Sequence, residues 1–198
     1  MSAAERSRPD VAERRQQWAA MLPGLDPDKL VFLDESGART NLARLRGRCP
    51  EGQRLVASAP HGHWKTYTML AAVRTGGPCA EALIDGPVDG EVFRAYVRFV
   101  LVPSLRPGDV VMMDNLQPHK AAGVREMIEA AGATLLYLPP YSPDYNPIEN
   151  MWSKVKQLLR SAAARTFEAL QAAVWAALDA VTADDCRGFF RNCGYSAT

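Results

Sequence analysis

Leu138-Pro139-Pro140-Tyr141-Ser142-Pro143-Asp144-Tyr145-Asn146-Pro147-Ile148-Glu149 is the stretch on which the fold of this chain turns. Proline cannot donate to a sheet ladder, so the run Thr134 to Leu138 reads as a strand that ends at Pro139-Pro140. Asn146-Pro147 opens a helix over 147–163, with Asn as the cap and Pro at the first helical position. On local grounds Glu149, at the third helical position, belongs to a capping box with Asn146. Ile148, Met151, Trp152, Val155 and Leu159 recur at helical spacing, so that face of the helix meets a core.

Working outward, short apolar runs alternate with turn signals. Val110-Val111-Met112-Met113 reads as a buried strand ending at Asp114, and Leu30-Val31-Phe32-Leu33 as another ending at Asp34. Two more strands fit Thr66 to Val73 and Glu81 to Ile84, around the turn Thr75-Gly76-Gly77-Pro78. Helices are predicted over 9–22, 90–105, 121–131, 166–181 and 183–193, the third of these capped by Gly132. Residues 41–64 read as irregular. The first three strands have no helix between them and predict an antiparallel meander. The later two alternate with helices and predict parallel pairing. The expectation is an α/β protein with a mixed five-stranded sheet. Residues 1–28 form an N-terminal helix and linker, and 29–198 one domain with C-terminal helices.

Composition narrows the function. Among 198 residues the net charge is +1, so no overall basic excess announces a nucleic-acid partner. The charge is uneven, however: between Asn146 and Arg165, Lys154, Lys156, Arg160 and Arg165 face only Glu149. Cys49, Cys79, Cys186 and Cys193 form no C-x-x-C pair and read as free thiols of a reducing compartment. No 18-residue apolar run predicts a membrane span, and the charged N-terminus lacks a signal-peptide core. The expected location is the cytoplasm.

Asp34 and Asp114 each follow four apolar residues. If their strands are parallel neighbours, both carboxylates emerge at one sheet edge, where open α/β sheets bind ligands. Two carboxylates side by side repel, and a divalent cation with oxygen ligands relieves the repulsion. Taken alone, each Asp reads first as a turn residue or helix cap; two on strands of one sheet strengthen the ligand reading. Glu35, next to Asp34, points to the opposite side of its strand and is left out of the acidic set.

The Leu138–Glu149 segment, with Met151-Trp152 after it, closely resembles the hallmark motif of the IS630/Tc1/mariner superfamily of transposases. Leu33-Asp34-Glu35-Ser36 resembles that family's first catalytic strand. Met113-Asp114-Asn115, with His119-Lys120, resembles its second. Pro60-His61-Gly62-His63-Trp64-Lys65-Thr66 is similar to a stretch of bacterial members. The gap of 34 residues between Asp114 and Glu149 is also the family's usual one.

The resemblance implies a ribonuclease-H-like fold, with helices on both faces of the sheet, and a catalytic triad at Asp34, Asp114 and Glu149. It implies two Mg²⁺ or Mn²⁺ ions on those carboxylates. It also implies DNA cleavage at transposon ends followed by strand transfer into target DNA, by a homodimer on paired ends. Full-length relatives carry an N-terminal helix-turn-helix, and the 29 residues before the first strand leave no room for one. The expectation is therefore weak binding to inverted repeats. The chain would be either the downstream frame of a split element, working with an upstream-frame product, or a truncated copy. The setting implied is bacterial and nucleoid-associated. Two alternatives stay open: a ribonuclease-H-like nuclease without strand transfer, and a defective DNA-binding remnant.

Candidate DNA contacts are His61, His63, Lys65, Asn115, His119, Lys120, Lys154, Lys156 and Arg160. Six of these have a plainer reading. His61-x-His63 lacks the further ligands a zinc site needs. His119 suits a helix start, and the three basic residues of the long helix suit a solvated face. Trp64 and Trp152 are aromatic enough to stack on bases, but Trp152 lies on the apolar stripe and is expected in the core.

Overall fold

The computed structural model describes residues 8–44, 47–54, 56 and 64–196. Five strands, β1 (Leu30–Arg39), β2 (Thr66–Arg74), β3 (Gly77–Ile84), β4 (Val110–Met113) and β5 (Thr134–Tyr137), form one sheet in the order β3-β2-β1-β4-β5. The pairs β1–β2 and β2–β3 are antiparallel; β1–β4 and β4–β5 are parallel. The meander and the two parallel additions are as expected.

Side chains alternate across the sheet and split the core in two. Phe32, Met69 and Met112 face α1 (Pro9–Met21), α4 (Pro147–Ala162), α5 (Phe167–Asp179) and α6 (Ala183–Asn192). Leu33, Leu70 and Val111 face α2 (Gly90–Tyr96) and α3 (Val124–Ala130). Trp152 of α4 is 2% exposed and Trp18 of α1 is 7% exposed, both in the first core. Trp152 is thus a packing residue, unable to stack on a base.

Four boundaries differ from the sequence reading. β1 does not stop at Asp34 but continues to Arg39, paired with β2 throughout. Its pairing with β4 covers only Leu30 to Phe32. Up to Leu33 the strand is buried on both faces and reads as an apolar run; past the last β4 pair its burial alternates, and the apolar signal disappears.

β3 begins at Gly77, so the hairpin turn is only Thr75-Gly76 and Pro78 lies in the strand. Pro is tolerated there because β3 is an edge. A bulge opposite Leu70 to Ala72, with Ala80 at φ 54°, breaks the ladder further along. α2 passes at Val97 into a π-helical turn and then a 3₁₀ turn ending at Ser104. α3 starts only at Val124, because Gly123 sits at φ 87° and cannot be helical.

α6 opens with a complete capping box: Thr182 Oγ1 accepts from Asp185 N, and Asp185 Oδ2 accepts from Thr182 N. Asp185 also holds Lys154 of α4. Thr182→Ala is expected to cost about 1 kcal/mol in urea denaturation. No change at all would mean that α6 is held by packing alone.

Candidate active site

Asp34 and Asp114 occupy corresponding positions on neighbouring strands. The parallel register pairs Leu30 with Val110 and Phe32 with Met112, and two residues further along lie Asp34 and Asp114. There β4 ends and β1 goes on, which opens a notch at the sheet edge. Glu149 enters from the first turn of α4. All three carboxylates line one cleft of about 600 Å³, whose other wall is the Pro-rich stretch Leu138 to Pro143.

Glu149 does not cap its own helix. Asn146 accepts no helix N–H through its side chain, and Glu149 is exposed, with no side-chain hydrogen bond among the described residues. The capping-box reading therefore fails, and the acid is left facing the cleft.

The two aspartates are held alike. Asp34 Oδ1 accepts Glu35 N–H at 2.8 Å, and Asp114 Oδ1 accepts Leu116 N–H at 3.0 Å. Their Oδ2 atoms have no hydrogen bond among the described residues. Their electrostatics diverge. Burial pushes the Asp34 carboxyl up to about 7; the charges of Glu149 and Asp114 add to this, against the Glu35 N–H and His119. Burial also pulls Asp114 upward, but the contact with His119, the Leu116 N–H and the charge of Lys120 outweigh it, so Asp114 lies below its usual range.

The charged lining of the cleft is entirely acidic: Asp34, Glu35, Asp114 and Glu149, with no Lys or Arg. A phosphate would be repelled from it unless a cation intervened. Hard oxygen donors in this number suit Mg²⁺ or Mn²⁺. Among the described residues no three acidic or soft ligands yet converge closely enough to hold an ion. The donor set fits in kind, and the exposed Glu149 side chain is the one of the three carried by a helix rather than the sheet.

α1 and the C-terminus clamp the Pro-rich wall. Arg15 donates to Ser142 Oγ at 2.6 Å and, with both Nη atoms, to the Asp144 carboxylate at 3.0 and 2.7 Å. Its guanidinium lies 4.6 Å from the Tyr145 ring centroid. Tyr195 Oη donates to the Tyr145 carbonyl at 2.8 Å and accepts from Trp18 Nε1 at 3.1 Å. Sequence reasoning missed Arg15 and Tyr195, whose partners lie 127 and 50 residues away. Tyr141, at φ 55° and 46% exposed, stands on the rim beside Leu116.

Residues 29–171 match the family described as DDE superfamily endonuclease. The chain belongs to that family. No curated protein matches it. In overall structure this DDE endonuclease is similar to the catalytic domain of the Mos1 mariner transposase. The TM-score is 0.72 at 14% identity, over 98% of this chain and 92% of that one. It is similar in the same degree to the Mos1 transposase in its paired-end complex with the left transposon end: TM-score 0.72, 18% identity, 94% of this chain. It spans 59% of the length of that transposase. Identity this low carries the fold, a ribonuclease-H-like mixed sheet with helices on both faces.

The remaining candidates of the endonuclease scatter. His61 and His63 lie outside the described residues. Lys65 is exposed and precedes β2, its backbone paired with Thr40. Lys120 is exposed, over the Tyr137 ring. Lys156 and Arg160 are half-buried on α4 and form no ion pair among the described residues. Lys154 is tied to Asp185. The Asn115 amide donates to the Leu138 carbonyl at 2.6 Å and joins the loop after β4 to the end of β5.

His119 is a correction. It is 0% exposed and offers no surface to DNA, because Pro118-His119-Lys120 forms a 3₁₀ turn that tucks the ring under Asp114. Glu35 does point away from Asp34, towards the α2 side, yet it borders the same cleft. Among the described residues no helix is long and apolar enough to cross a membrane, and all four cysteines are free.

Proposed function

We propose that this endonuclease is the catalytic domain of a transposase that cleaves DNA at transposon ends and transfers the freed strand to target DNA. One observation carries the reading: Asp34, Asp114 and Glu149 line a single cleft, whose charged residues are all acidic, where β4 ends and β1 continues. Mos1 has been solved as a paired-end complex with Mg and with Mn, which supports the same ions here.

Asp34, Asp114 and Glu149 would hold two Mg²⁺ or Mn²⁺ ions. Bound there, the metal would supply Lewis-acid activation of water or a 3′-hydroxyl and stabilisation of the leaving oxygen. The protein's part is placement. Asp34 and Asp114 present one oxygen each to the cleft because the other is tied to backbone. Glu149 completes the set from a helix whose stripe is locked in the core. No Ser or Cys nucleophile is required.

DNA is the proposed partner, with Lys65, Asn115, Lys120, Lys156 and Arg160 as contacts, and a homodimer on paired ends as the working form. Residues 1–28 would act as a helix and linker leading into a catalytic domain over 29–198, a division supported by the family match beginning at 29. The proposed setting is the bacterial cytoplasm, at the nucleoid.

A plasmid-nicking assay with Mn²⁺ tests the reading. Asp114→Ala is expected to lower the rate by roughly 10³-fold, since an ion lost from such a site forfeits several kcal/mol of transition-state stabilisation. Nicking that is unchanged in Asp114→Ala would sink the assignment.

A further inference from the structure

The chemistry proposed above makes no use of a fully buried imidazole that lies against one of its carboxylates. His119 Nδ1 is 2.6 Å from Asp114 Oδ1. The contact is bent rather than linear, and neither ring nitrogen has a well-directed partner among the described residues. A polar ring this deep is normally satisfied from two sides. Here everything else about the residue is fixed. Phe93 of α2 packs on the ring with centroids 4.5 Å apart and planes at 37°, and Tyr137 Oη donates to the His119 carbonyl at 3.1 Å. The imidazole therefore has one place to be, which is beneath Asp114.

A second carboxylate lies on the same side of the sheet. Glu35, on the same side of β1 as Leu33, is half-buried with an Oε2 atom that has no partner among the described residues. Its charge acts on the His119 ring, and the ring on it. The strand parity that removes Glu35 from the front of the site puts it on the α2 side of the sheet, the side on which Phe93 packs against the His119 ring.

The consequence for Asp114 is geometric. Leu116 N–H and His119 Nδ1 both approach Oδ1, and neither approaches Oδ2. A carboxylate pinned at one oxygen presents the other in a fixed direction, into the cleft. Histidines and carboxylates behind a metal ligand commonly do this.

We propose that His119, with Glu35 on the same side of the sheet, is a positioning residue that fixes the Asp114 carboxylate for metal binding. The proposal rests on the reading of Asp114 as a ligand.

The test is Mn²⁺ binding to the DNA-free protein, followed by electron paramagnetic resonance of the free ion, with thermal melting to check folding. Four variants are compared with wild type. His119→Phe keeps the ring on Phe93 but removes the nitrogen. His119→Asn places an amide nitrogen near the Nδ1 position. Glu35→Gln removes the charge of the second carboxylate. Asp114→Ala is the reference.

His119→Phe is expected to weaken Mn²⁺ binding by roughly 10- to 100-fold at unchanged stoichiometry. His119→Asn is expected to recover most of that, and Glu35→Gln to fall between. If His119→Phe does not fold, His119→Gln, whose amide sits away from Oδ1, is expected to show the same weakening. Mn²⁺ affinity at the wild-type level in the folded Phe or Gln variant, while Asp114→Ala loses it, overturns the positioning role alone. Wild-type affinity in Asp114→Ala overturns the reading of the site and this proposal together.

Discussion

Asp34→Asn is expected to abolish metal-dependent cleavage, by roughly 10³-fold, and at the same time to make the metal-free protein more stable at pH 8. The two effects have one cause. Asp34 is 8% exposed, and burial together with Glu149 and Asp114 raises its carboxyl from 3.8 to about 7. A carboxyl with a raised folded-state pKa holds its proton more tightly when folded. Its contribution to stability is complete below about pH 4 and is lost as pH rises through 7.

Above pH 7 the metal-free fold carries an ionised, buried carboxylate among like charges. The ceiling on that cost is about 4 kcal/mol, and relaxation and water entry reduce it to about 1–3 kcal/mol. Asn removes the charge but keeps the oxygen that accepts the Glu35 N–H. Thermal unfolding at pH 8 should show a rise of about 3–10 °C over wild type, vanishing near pH 4. Mn²⁺ should stabilise the wild type and leave the variant unmoved. An equal gain at both pH values would mean that the effect is packing, and the strained acidic cleft would be the wrong picture.

Arg74→Met is expected to be the most destabilising change far from the cleft, at about 3–5 kcal/mol. Arg74 ends β2 and Asp109 precedes β4, so the pair fastens the opposite end of the sheet. Arg74 Nη1 and Nη2 reach both Asp109 oxygens at 3.0 and 2.9 Å, and Nη2 also donates to the Ser104 carbonyl at 2.8 Å. The side chains are 9% and 1% exposed. Removing the cation leaves a buried carboxylate with only the Arg106 N–H to answer it.

Urea denaturation should show the loss. Adding Asp109→Asn should recover much of it, because the amide oxygen still accepts from Arg106 while the orphaned charge is gone. A loss under about 1 kcal/mol would place the pair in solvent-like surroundings.

Much of this protein was legible in order. The five strands, their direction and the helices that follow them came from apolar runs and turn residues, since those signals are local. The Pro-rich stretch marked both a strand end and a helix start, and both are found there. What the pattern missed were features whose cause lies across the fold. β1 past Asp34 has no apolar run because β4 no longer flanks it. Pro78 sits in a strand because that strand is an edge. His119 reads as a capping or surface residue at a helix start, and only the packing of α2 shows it buried.

Sequence by itself marked Asp34 and Asp114 as the ends of two buried apolar runs of equal length, which stand level at one sheet edge only if their strands are parallel neighbours; the structure pairs them so. For Glu149 the local pattern favoured a cap and the resemblance to the transposase family an acid. Only the tertiary structure shows that it does not cap its own helix. The stripe of α4 buries Ile148, Met151 and Trp152 and so fixes the rotation of the helix, Asn146 is buried without capping it, and Glu149 is left on the side that faces the two aspartates.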